Sequence, residues 1–185
     1  MPRRDGGLFA DPRRVEEMAD MLANVWQLGY VTTDLDRAME LMAEQFGLRH
    51  CVKLPSAGAT FLAGEQPAEW EARFAMGGRG GLIVELIEPL AGEVEFYRRF
   101  LPDDGSFAVR FHHFATFIPT GDEEWERVRG ILARAQLRFD YTVLIPDRVR
   151  AGYVDTSAQL GHLIEVCQLQ QEDIDFFEGL AAQSA

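Results

Sequence analysis

Apolar and polar positions along the chain repeat with two periods, and the switches between them mark out strands and helices. Residues 12–23 repeat at helical spacing, with Val15, Met18, Ala19 and Leu22 on one stripe; Asp11-Pro12 supplies an N-cap and a proline suited to the first helical position. Residues 25–32, VWQLGYVT, read as a short apolar strand carrying one polar residue, Gln27. Thr33 or Asp34 caps a second helix whose Leu35, Ala38, Met39, Met42 and Phe46 share a face, and Gly47 ends it. Strands are expected over 50–64 and 70–76, with Pro55, Gly58 and Pro67 marking loops. MGGRGG at 76–81 lacks the Lys-Ser/Thr of a phosphate-binding loop and does not run from a strand into a helix, so it reads as a hairpin turn. It leads into LIVELIE at 82–88, a strand closed by Pro89.

The pattern then repeats. A short helix around 94–100 and a PDDG turn precede VRFHHFATFI at 109–118, where strict alternation places His113 with Phe111, Ala115 and Phe117, and His112 opposite with Arg110 and Phe114. Thr120-x-x-Glu123 has the capping-box pattern and opens a helix carrying Trp125, Val128, Leu132 and Ala135. Strands around 138–145, 150–156 and 161–167 follow, and 171–182 form a terminal amphipathic helix with Ile174, Phe177 and Leu180. The order is strand, helix, three strands, and then the same again.

Four side chains break the apolar pattern at matching places in the two halves. Gln27 and His113 lie in the first strand of each half, 86 residues apart; Glu85 and Glu165 lie in the last, 80 apart. Glu85 shares its face with Ile83 and Ile87, and Glu165 shares its face with Leu163 and Cys167. A carboxylate on an apolar face is costly unless something pairs or coordinates it. If the halves pair about a pseudo-two-fold axis, one amide oxygen, one imidazole and two carboxylates converge, a donor set suited to a divalent metal. Glu88, beside Pro89, reads as a solvated strand end, His162 as structural, and His112 as a packing or locally hydrogen-bonded residue.

Composition limits the functional classes. The 185 residues are 47% hydrophobic and 26% charged, ordinary for one globular domain or two small repeats sharing a core. The formal net charge of −12, with cations that are all Arg except Lys53 and are scattered, argues against nucleic acid and anionic membranes. Pairs such as Arg98-Arg99 or Arg148/Arg150 read as solvated rather than as anion grips. No run is long and apolar enough for a membrane span or signal peptide, which points to the cytoplasm. Cys51 and Cys167 are expected to be reduced thiols.

The segments QLGYVTTDLDRAMELMAEQFGL (27–48), VELIEPL (84–90), HHFATFIP (112–119) and YVDTSAQLGHLIEV (153–166) resemble the vicinal oxygen chelate superfamily, which includes glyoxalase I, methylmalonyl-CoA epimerase, extradiol dioxygenases and bleomycin-resistance proteins. The resemblance implies an α+β fold of two βαβββ modules forming a half-open mixed sheet, with extra N- and C-terminal helices. The corresponding division is an N-terminal helical extension at 1–24, modules at 25–92 and 110–168, a linker with a short helix at 93–109, and a C-terminal helix at 169–185. It places metal ligands at Gln27, Glu85, His113 and Glu165, with Glu165 and Glu85 as candidate catalytic bases and Tyr153, Asp155 and Thr156 supporting the turn. It also implies a divalent ion (zinc favoured, with nickel, cobalt or manganese as alternatives) and a homodimer.

Within the superfamily, VELIEPL and HHFATF look like the epimerase branch. Val31 stands where glyoxalase I carries Arg, and no Asn occupies Pro89, which points away from glutathione. Gln27 in place of His points away from an extradiol dioxygenase. The expected function is a glyoxalase-like metal-dependent isomerase, epimerase or lyase that moves a proton next to a carbonyl of a small molecule, including an acyl-thioester. The alternative is a non-catalytic small-molecule binding protein of the bleomycin-resistance type.

Overall fold

The computed structural model describes residues 16–55 and 58–182. A 3-10 helix, Met18–Asn24, leads into β1 (Val25–Thr32), α1 (Leu35–Phe46), β2 (Cys51–Leu54), β3 (Thr60–Ala63), β4 (Gln66–Pro67), β5 (Trp70–Arg79) and β6 (Leu82–Gly92). After α2 (Glu95–Arg98) come β7 (Val109–Phe117), α3 (Asp122–Arg134), β8 (Tyr141–Ile145), β9 (Val149–Asp155), α4 (Ser157–Leu160), β10 (Leu163–Leu169) and α5 (Gln171–Ala182). The strands form one mixed sheet in the order β2-β5-β6-β1-β7-β10-β9-β8-β3-β4. Each half has its first strand beside its last, and the halves join through antiparallel β1 and β7. This is the expected pair of βαβββ modules.

The register shows how closely the halves correspond. Leu28 pairs with Phe114, Gln27 with Ala115 and Gly29 with His113. If Gln27 is matched to His113, Leu28 falls on Phe114 and Gly29 on Ala115, so a pseudo-two-fold axis runs between Leu28 and Phe114. The outer strands agree: Gly29 lies beside Glu85, and Ala115 beside Glu165. Both carboxylates therefore face the groove at equivalent heights.

Several local expectations change. The segment expected as strand over 50–64 splits, because Pro55 has no N–H for a ladder; β2 stays on one edge and β3 joins β8 near the opposite edge. Leu54 and Thr60 are six residues apart, a reach of roughly 20 Å at most. The two edges of the sheet must therefore curl toward one another. Asp11-Pro12 and Val15 lie outside the described residues. The described part of the first helix is 3-10, so its buried positions are Met21 and Asn24 and not the expected Leu22, which is 65% exposed; three residues per turn align 18, 21 and 24. Helix α3 starts at Asp122 after Gly121 (φ 122°), without a side-chain cap, so Thr120 and Glu123 form no capping box. Instead, three acidic residues in the first turn oppose the helix dipole. Phe46, expected on the buried stripe of α1, is exposed.

The concave face of the sheet is packed at both ends. Toward the C-terminal end of β1, Phe61, Phe96, Tyr97, Ile87 and Val31 form a buried, largely aromatic cluster. Toward its N-terminal end, Phe177 and Leu180 of α5 pack against Trp26, Ile83, Phe117 and Cys167. The four anomalous polar residues lie between these clusters. On the convex side, α1 and α3 each cover one module.

Candidate metal and ligand site

All four residues singled out by their pattern come together within one chain. Gln27, Glu85, His113 and Glu165 are each no more than 5% exposed. Gln27 Nε2 donates to Glu85 Oε2 at 2.9 Å and lies 3.3 Å from His113 Nε2. His113 Nε2 is 3.4 Å from Glu85 Oε2 and 3.0 Å from Glu165 Oε2. One ligand atom from each of Glu85, His113 and Glu165 falls within 4.8 Å of the others.

Small residues at the axis make this possible. A Cβ on Gly29 would stand 1.9 Å from His113 Cε1, so glycine leaves the space that the imidazole ring occupies. Its counterpart Ala115, opposite Gln27, is the next smallest residue. The sequence carries this signal only as GYV and FAT, which mean nothing until the two strands are set in register.

Strict alternation fails twice along the β1–β7 pair, once around Trp26 and once at His112. The β1–β7 register shifts between Gly29/His113 and Tyr30/Phe111, leaving His112 as the extra residue of a β-bulge. Phe111 therefore packs with Tyr30 and His162 and not beside His113. His112 is fully buried among Phe96, Tyr97, Phe100 and Tyr153.

His112 also fixes the chemistry of its neighbour. Its Nε2 lies 3.0 Å from the Phe96 carbonyl and its Nδ1 lies 2.9 Å from His113 Nδ1. A carbonyl only accepts, so His112 Nε2 carries the proton. Burial, with the adjacent His113 charge, lowers the His112 pKa well below normal, so the ring is neutral and its Nδ1 accepts from His113 Nδ1–H. His113 Nε2 is thereby left to face Gln27, Glu85 and Glu165. Burial alone would lower the His113 pKa, but Glu165 and Glu85 outweigh it and raise it to about 9. Without an ion, an imidazolium balances the carboxylates. Burial pushes Glu85 up.

The donor set suits a divalent ion. Two carboxylates, an imidazole and an amide converge, and Glu165 Oε2 is buried with no hydrogen bond despite its contact with His113. Gln27 points its nitrogen inward here; turned over, the amide offers oxygen from the same position.

The site forms the floor of a cavity of about 240 Å³, with Trp26, Met76, Tyr153 and Cys167 in its walls and Phe176 and Phe177 of α5 facing across. Tyr153 is directly cross-strand from Glu165, and its ring centroid is 5.3 Å from that of His113. Burial, reinforced by Glu165, holds its phenol neutral, with a pKa well above normal. The resemblance implies that Tyr153, Asp155 and Thr156 support the turn; Asp155, which accepts from Ser157, and Thr156, which donates to the His162 carbonyl, do so, whereas Tyr153 lines the cavity. His162 is structural, meeting Phe111 edge-on and Phe114 at a tilt on the convex side. Glu88 is not a solvated strand end, since Arg73 pairs with it at 2.8 Å. Arg99, Arg148 and Arg150 are likewise ion-paired, with Asp155, Asp173 and Asp122. Cys51 and Cys167 are both free thiols.

No protein-family model matches the chain, and no curated protein matches it in sequence. Solved structures do match. Methylmalonyl-CoA epimerase from Mycobacterium tuberculosis is 17% identical with a TM-score of 0.50, over 82% of this chain and 91% of that one. A hypothetical protein from Bacillus halodurans is 18% identical with a TM-score of 0.53, over 80% and 94%. At these identities the likeness is one of fold. With the paired βαβββ modules, it shows the half-open α+β fold that the sequence led us to expect.

Proposed function

We propose that this protein is a metal-dependent isomerase, epimerase or lyase that moves a proton on the carbon next to a carbonyl. The observation that carries this reading is the buried Gln27–Glu85–His113–Glu165 cluster at the floor of an apolar cavity. Glu85, His113 and Glu165 would hold the ion, with Gln27 as a fourth ligand through its oxygen; imidazole with carboxylates favours zinc. Bound there, a divalent ion supplies a Lewis acid for the oxygen on which charge develops.

The chain's own residues do the rest. Glu165 takes the proton from the substrate carbon on the carboxylate oxygen that the ion would leave free and returns it, with Glu85 as the second carboxylate of the site. Tyr153, across the ladder from Glu165 and kept neutral by burial, walls the site beside it. Packing at both ends of the groove excludes water and strengthens these interactions. The epimerase fold likeness supports a small-molecule substrate.

Glu165→Gln is the discriminating variant. It keeps an oxygen and the side chain's shape but cannot take up a proton, so turnover should fall by roughly a hundred- to ten-thousandfold while ligand affinity changes little. Candidate keto acids and acyl-thioesters incubated in deuterated water report exchange beside the carbonyl by NMR. Wild-type exchange lost in the variant supports the enzyme. No exchange across a broad panel with the metal-loaded protein would favour a binding protein instead.

A further inference from the structure

We infer that the ligand of this site carries an uncharged body the size of an aromatic ring; this rests on the metal-site reading above. The walls above the floor cluster are almost wholly carbon. Trp26, Phe74, Met76, Val143, Phe176 and Phe177 surround about 240 Å³ of space. An apolar cavity of about 150 Å³ already accepts benzene, so the volume fits a six-membered ring and a short chelating head. Trp26 and Phe177 are tilted against one another at 5.0 Å, and Phe176 meets Phe177 edge-on at 5.3 Å. These ring faces and edges suit an aromatic partner.

Charge argues the same way. Arg148 is the one cation among the described lining residues, and its guanidinium is held by the buried Asp173. A carboxylate or phosphate on the ligand body would meet one cation that is already ion-paired and would face the carboxylates of Asp173, Glu85 and Glu165. A ligand whose body carries such a charge is therefore a poor occupant. Tyr153 and Cys167 complete the wall.

Hydroxamates test this, because they chelate a metal through two adjacent oxygens whatever their substituent. With zinc-loaded full-length protein, calorimetry should show benzohydroxamate binding about thirty- to a hundredfold tighter than acetohydroxamate, the gain expected from burying a phenyl group. Val143→Trp, which fills the space above the floor cluster, should remove that preference while zinc content by elemental analysis stays that of the wild type. Equal affinity of the two probes in the wild type would overturn the inference and leave the metal site standing. A preference that survives in a folded Val143→Trp variant would also overturn it, by placing the ring elsewhere; if that variant does not fold, Phe74→Trp serves the same purpose. Binding of neither probe by protein shown to contain zinc would overturn this inference and the chelating role together.

Discussion

His113 has two jobs, and its removal should expose both. With no ion bound, its imidazolium neutralises Glu85 and Glu165 inside the fold. His113→Ala leaves those carboxylates buried without a counter-charge, a loss of about 3–5 kcal/mol of stability at neutral pH. Denaturant melts of the metal-free protein measure this, and elemental analysis should show the variant unable to retain a divalent ion. His112 acts one step back, by directing a lone pair of His113 into the site. His112→Phe keeps the aromatic packing but loses that direction. Zinc affinity, measured by competition with a chromophoric chelator, should fall about 10- to 100-fold. An unchanged affinity would show that the Nδ1 contact has no influence.

Elements place these residues through close approaches that tolerate no extra atoms. At the β1–β7 seam, Gly29→Ala drives a methyl into the His113 ring. The ring must move, so metal content should drop even if circular dichroism shows the sheet intact. At the other end of the cavity, Gly78 of β5 lets α5 settle directly on the sheet, since a Cβ there would meet the Ala181 backbone at 2.6 Å. Gly78→Val should push α5 outward and make the Trp26–Phe177 contact looser. Limited proteolysis would then cut near Gln171 faster than in the wild type. The helix is thus part of the cavity wall, although in sequence it lies beyond the two modules.

For the whole molecule, the charge balance inside the groove sets a pH dependence. The folded His113 pKa of about 9 lies above its ordinary 6.5, so the folded state binds the extra proton more tightly than the unfolded chain. Its contribution is fully present below pH 6.5 and is lost as pH rises through about 9. The raised Glu85 pKa adds a term of the same sign at lower pH. Metal-free protein should therefore melt at a lower temperature at pH 9 than at pH 6.5. Zinc should reduce the difference, because it replaces the proton as the balancing charge. Assembly is a separate matter. We propose a homodimer, to be tested by light scattering at micromolar concentration, and a monomeric result would leave the site intact because one chain supplies all four residues.

The duplicated strand-helix-strand order and the four out-of-place polar residues were legible in the sequence. Apolar periodicity is set residue by residue, and a carboxylate on an apolar face is conspicuous before any partner is known. The same local patterns located α1, α5 and the start of β6, although β6 continues through Pro89 to Gly92. Local pattern did not reach what depends on which strands meet. The bulge that places His112 behind His113 exists only in the β1–β7 register, as does the space that Gly29 leaves for the ring. Crossing of the chain from β2 to β3 depends on the curl of the whole sheet. Tyr153 looked like a turn residue because its partners, Glu165 across the ladder and His113 across the groove, are remote or unpaired until the strands assemble. The sequence determined which side chains needed a partner, while the tertiary structure decided which partners they found, because register and sheet curvature are properties of strand pairs and not of single strands.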